Sequence, residues 1–148
     1  RVYDENNILI KHFEGKRQGY LDLNDIGNIP CSFHPFINRN NQKKFEEIRS
    51  QDVYNTACIL NEHNTKISMI NGAYYKLNLQ KKSVTKEDGF AHKINLAYIK
   101  YQIKSLKNKN LKIARVFAIR RINNIKYIQW KINNNNKSFY EYLNEKEN

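Results

Sequence analysis

Between Asp88 and Glu141 the chain carries no carboxylate. Whatever this stretch folds into, its Lys93, Lys100, Lys104, Lys107, Lys109, Lys112, Arg115, Arg120, Arg121, Lys126, Lys131 and Lys137 find no acid on their own elements. Such side chains are expected to face solvent or a partner that brings negative charge. The run opens on GFAHKINLAYIKYQIKSLKNK, Gly89 to Lys109. There Leu96, Ile99, Ile103 and Leu106 recur at steps of three and four, which predicts a long helix with these four packed against the core. Lys93, Lys100, Lys104 and Lys107 fall on another, solvated face. Asp88-Gly89 supplies the turn that a helix start needs.

With 148 residues the chain fits one domain and can bury a sizeable core. Its net charge of +12 is concentrated in the acid-free half, which points to nucleic acid ahead of an anionic membrane. No apolar run approaches the length of a membrane span and no signal peptide opens the sequence, so no membrane partner is expected. Cys31 and Cys58 lack metal-site spacing and read as reduced thiols of an intracellular protein. Abundant Asn, Lys, Ile and Tyr suggest an AT-rich genome, which inflates lysine on its own. A start at Arg1 rather than Met suggests an excised or trimmed segment.

Taken in order, Asn7 to Phe13 reads as a strand and Glu14 to Gly19 as a turn. Asp22 or Asn24 caps a short helix through Ile26, ended by Gly27. Pro30 and Pro35 keep Asn28 to Pro35 irregular. A helix is expected from Gln42 to Arg49, capped by Asn40 or Asn41, with Phe45 and Ile48 inward. Val53 to Leu60 leans towards helix. Lys66 to Ile70 and Ala73 to Leu79 flank Asn71-Gly72, a strong β-hairpin signal. Ile113 to Ile122 and Ile125 to Ile132 flank Asn123-Asn124 and read as a second hairpin. Asn133 to Asn136 is a low-complexity linker, and Ser138 caps a last helix to Leu143. Helices mixed with antiparallel hairpins give an α+β class.

Three segments then carry a family resemblance. GYLDLNDIGN (Gly19 to Asn28) looks like the G-Y-I-N-aliphatic-T-D-I segment of KilA-N domains. FINRNNQKKFEEI (Phe36 to Ile48) is similar to their W-x-R-N-x-x-T-x-x-F-aliphatic segment, and GFAHKINLAYIKYQI (Gly89 to Ile103) resembles their closing helix, G-T-Y-A-H-K-D-I-A-x-x-x-x-x-W-I. The three occur in family order and cover roughly Asn7 to Lys107. Phe36 and Tyr101 stand where the family usually has Trp, and Glu87-Asp88 replaces a Gly-Gly. The resemblance implies a DNA-binding module of large DNA viruses, phages and bacteria, related in fold to fungal APSES winged-helix domains. Residues 1–110 would form a small winged-helix-like domain, with two β-hairpins and a long central helix in the whole chain. Residues 111–148 would add the second hairpin and a short helix packed on the same domain.

The expected function is non-catalytic binding of double-stranded DNA, with no cofactor or metal. Arg39, Asn40, Gln42, Lys43 and Lys44 stand at a helix start, where Arg suits guanine and Asn or Gln suits adenine. Lys76, Lys81, Lys82 and Lys86 lie on or beyond the first hairpin, where a wing reaches phosphates. His92, Lys93, Lys100, Lys104, Arg120 and Arg121 complete the basic surface. His92 either bonds a phosphate or is buried at the helix start, bonded to backbone. A viral replication site or the host cytoplasm or nucleoid is the expected location, and a homodimer or further domains in a longer chain fit the sequence equally well. Two other classes compete. One is a small basic nuclease using His34, His63 or His92 as acid or base. The other is a protein-interaction module whose charge reflects genome bias alone.

Overall fold

A computed structural model of the chain describes residues 1–4, 6–11, 19–29, 40, 48–68, 77–78, 89–134 and 137–147. The architecture is α+β, and about two thirds of the described residues are helical. Its elements run β1 (Val2–Tyr3), β2 (Leu9–Lys11), β3 (Tyr20–Leu21), α1 (Leu23–Asn28) and α2 (Gln51–Glu62). After these come β4 (Ile67–Ser68), β5 (Leu77–Asn78), α3 (Phe90–Lys107), α4 (Leu111–Ile132) and α5 (Phe139–Glu147).

The described strands are short and form two sheets. One has the order β2-β1-β5, antiparallel between β1 and β2 and parallel between β1 and β5; the other pairs β3 with β4 antiparallel. The described ends of the first expected hairpin do not pair with each other. Ile67–Ser68 pairs with Tyr20–Leu21, and Leu77–Asn78 pairs with Val2–Tyr3, so the described parts of the two runs belong to different sheets. The Asn71-Gly72 turn lies outside the described residues, as do Gln42 to Glu47 of the expected second helix. Its end, Ile48 and Arg49, is bend and turn.

The second expected hairpin is overturned. Residues 111–132 form one uninterrupted helix of 22 residues, capped by the Asn110 side chain, which accepts from the Ile113 amide at 3.2 Å. The buried positions Ile113, Val116, Phe117, Arg120, Asn124 and Tyr127 follow a helical period through the Asn123-Asn124 pair. Two of them are polar, and that break in the apolar pattern is what resembled a turn between strands.

Only three residues, Asn108 to Asn110, separate α3 from α4, and the two pack as an antiparallel helical hairpin. Tyr101 and Tyr98 meet Phe117, with centroids 5.1 and 5.8 Å apart, while near the other end the Asn124 amide donates to the Ala91 carbonyl at 2.8 Å. The sequence boundary at residue 110 therefore falls inside this hairpin. Helix α1 closes over α4: Asp22 and Asp25 form a reciprocal capping box, and Gly27 sits within the helix, rather than after it, against Val116 and Ile119. Helix α2 lays Tyr54 flat on Tyr101 at 4.4 Å.

The result is one main core and one satellite. The main core gathers Ile26, Val53, Tyr54, Ala57, Leu60, Ala97, Tyr101, Ile113, Val116 and Phe117. The satellite joins Ala91 and Tyr127 to Tyr142 of α5, with Ile128, Trp130, Phe139 and Leu143 around them. Helix α5 starts as expected at Ser138, whose hydroxyl accepts from the Glu141 amide while the Glu141 carboxylate accepts from the Ser138 amide. It runs to Glu147 rather than Leu143.

Tyr127 gives a test of the satellite. Its hydroxyl is buried without a hydrogen-bond partner. Burial, assisted by the charge of Glu141, pushes the phenol up to about 12. The folded value lies above the unfolded value of about 10, so the neutral phenol's contribution is intact below pH 10 and is lost as pH rises through about 12. We expect Tyr127→Phe to leave stability at neutral pH unchanged or slightly raised, since no hydrogen bond is lost. It should also flatten the decline in urea midpoint between about pH 10 and 12. A loss above about 1 kcal/mol at pH 7 would mean the hydroxyl has a partner after all.

Candidate nucleic-acid interface

The acid-free stretch now has a shape. It is the α3–α4 hairpin, and on it Lys93, Lys100, Lys107, Lys109, Lys112, Arg115 and Lys126 are exposed. Helix register places them there: the buried stripe of α3 runs through Ala91, Ala97, Tyr101 and Ser105, and that of α4 through Ile113 to Tyr127. These seven cations stand off the buried stripes. With no carboxylate between Phe90 and Ile132, their fields add rather than cancel.

The sequence-expected residues divide into three groups. Lys93 and Lys100 are exposed on α3 as expected. His92 is exposed in the first turn of α3, so the buried alternative does not hold. Asn40 is exposed as well. Lys104 is half-buried, its ammonium 5.2 Å from the centre of the Tyr54 ring, and Arg121 is half-buried too. Arg120 departs most from expectation. It is only 4% exposed, and its guanidinium donates to the Ile29 carbonyl at 3.0 Å and lies over the Tyr98 ring. This arginine ties α4 to the end of α1 and is not presented to a ligand. Arg39, Gln42, Lys43, Lys44, Lys76, Lys81, Lys82 and Lys86 lie outside the described residues.

A cavity of about 150 Å³ opens where α3 and α4 meet the other helices, lined by Val53, Phe90, Ile94, Tyr98, Asn124 and Phe139 among others. The Asn124 amide and the Arg120 guanidinium at its wall are committed to backbone carbonyls. No helix among the described residues is long and apolar enough to cross a membrane. No protein-family model, curated protein or solved structure matches the chain.

Proposed function

We propose that this chain binds double-stranded DNA without cleaving it, using the α3–α4 hairpin as a phosphate-contacting surface. One observation carries the reading: a two-helix hairpin with seven exposed lysines and arginines and no acid anywhere along it. Exposed Lys112, Arg115 and Lys126 of α4, with Lys93 and Lys100 of α3, serve phosphates; Arg120 is left out. The KilA-N resemblance of the three segments supports the same reading and supplies its finer part. In that part, Arg39 to Lys44 reads bases, Lys76 to Lys86 reaches phosphates from a wing, and the chain acts at a viral replication site or in the host cytoplasm or nucleoid.

Titration of a labelled duplex at several salt concentrations tests it. Roughly four to seven phosphate contacts give a log–log slope of about −4 to −6. Affinity then falls about 250- to 4,000-fold between roughly 50 and 200 mM salt. A flat salt dependence, or binding to RNA alone, would remove the DNA reading. Cleavage of duplex or RNA with divalent metal present, abolished by His92→Ala, would favour the nuclease class instead.

A further inference from the structure

The apolar stripe that sequence periodicity assigns to the core faces the other way. Leu96, Ile103 and Leu106 are 58, 47 and 48% exposed, with Ile99 half-buried between them. They stand on the side of α3 opposite Ala97, Tyr101 and Ser105, and no described element covers them. At 100° per residue the four fall within an arc about 80° wide, and from Leu96 to Leu106 they run about 15 Å along the helix. Their steps of three, four and three are the a/d spacing of a coiled-coil seam, narrower than the face of a helix that lies on a membrane.

Charge says what fits there. Lys93, Lys100 and Lys107 recur every seven residues along one border of the seam and are all exposed, while Asn95 and Gln102 form the other border. In heptad terms every e position is lysine, and α3 has no acid. A second copy of this helix is a poor occupant. Antiparallel pairing sets lysine against lysine, and parallel pairing sets lysine against Asn95, Gln102 or Lys109. DNA is also a poor occupant, since phosphates gain nothing from a row of leucine and isoleucine.

We infer that the outer face of α3 docks an acidic amphipathic helix of a partner protein. Leu or Ile residues of that helix lie in the Leu96–Leu106 seam, and its flanking Glu or Asp pair with Lys93, Lys100 and Lys107. The exposed row is then the half of an interface that the partner completes, and the lysines set which partner and which orientation.

The probe is a labelled synthetic peptide of about three heptads with Leu at a and d and Glu at e and g. It is titrated against the full chain by fluorescence anisotropy. Binding is expected, weakened by about tenfold or more in the exposed double substitution Leu96→Ser/Ile103→Ser. That variant should bind duplex DNA as the parent does, because Lys93 and Lys100, which both surfaces share, are left in place; in the parent, peptide and duplex should compete for them. Replacing Lys93, Lys100 and Lys107 with Glu should reverse the preference towards a Lys-flanked peptide. Equal binding of Glu- and Lys-flanked peptides, or no anisotropy change at all, overturns the inference. So does self-association lost in Leu96→Ser/Ile103→Ser by sedimentation velocity, which assigns the seam to a second copy. Cosedimentation with anionic vesicles that the same substitutions abolish, with no peptide binding, assigns it to a membrane surface.

Discussion

Truncating Tyr101 to alanine is expected to cost about 3–5 kcal/mol, a large share of the stability a domain of this size commands. The ring is fully buried at the meeting of α2, α3 and α4, stacked on Tyr54 and tilted against Phe117. Its loss empties the centre of the main core, and three helices cannot all close on the hole. The hydroxyl is separable from the ring. It donates to the Gln51 side-chain oxygen at 3.1 Å and lies 3.3 Å from the Ile48 carbonyl. Tyr101→Phe should therefore cost only about 1–2 kcal/mol, the loss of buried hydrogen bonding without a cavity. Urea unfolding followed by far-ultraviolet circular dichroism measures both. A cost below about 1 kcal/mol for the alanine variant would mean that α3 does not pack through this face.

Asn123→Pro is the second large effect, and together with Asn124→Gly it separates a helix from a hairpin at the same residues. In the middle of α4 a proline removes the amide that bonds back to the Ile119 carbonyl, and its ring collides with that carbonyl. The cost is about 3 kcal/mol or more. A two-residue hairpin turn would reject proline as well, because its first corner needs a positive φ, so the proline variant measures the helix and its neighbour supplies the contrast. The neighbouring substitution Asn124→Gly sharpens the contrast. A turn would welcome it, whereas here it deletes the 2.8 Å bond to the Ala91 carbonyl and loosens a helix interior. Thermal unfolding of both variants decides the matter.

What could be read from the sequence follows from where each signal resides. Helices α1 and α5 are announced by side chains that cap locally, Asp22 and Ser138, and such bonds need no tertiary context. Helix α3 was legible as a helix but not in its orientation. Its strongest apolar period, Leu96 to Leu106, points outward, because the core face is made of Ala97, Tyr101 and Ser105, small or polar-tipped residues that allow α4 to come close. Helix α4 was hidden for a related reason. Its buried stripe includes Arg120 and Asn124, and a polar side chain whose partner is a carbonyl dozens of residues away leaves no mark in a local pattern. The same distance explains why Arg120 was counted with the surface cations. Their number and lack of acids, by contrast, were plain from composition, and exposed positions such as Lys93, Lys100 and Lys126 kept that meaning in the fold.

The placement of the one tryptophan has a spectroscopic consequence. Trp130 sits in the satellite cluster beside Tyr127 and Tyr142, its indole donating to the Glu145 carboxylate with the Lys137 ammonium over its ring. The main core holds tyrosine and phenylalanine but no indole. Intrinsic fluorescence excited at the indole band thus reports the docking of α5, while the helical dichroism signal is dominated by α2, α3 and α4. The fluorescence views one end of a 22-residue helix, and the dichroism the whole of it. Superimposable denaturation curves would mean that α4 transmits unfolding from one cluster to the other along its whole length. An earlier fluorescence transition would mean that the C-terminal helix peels away as an independent flap.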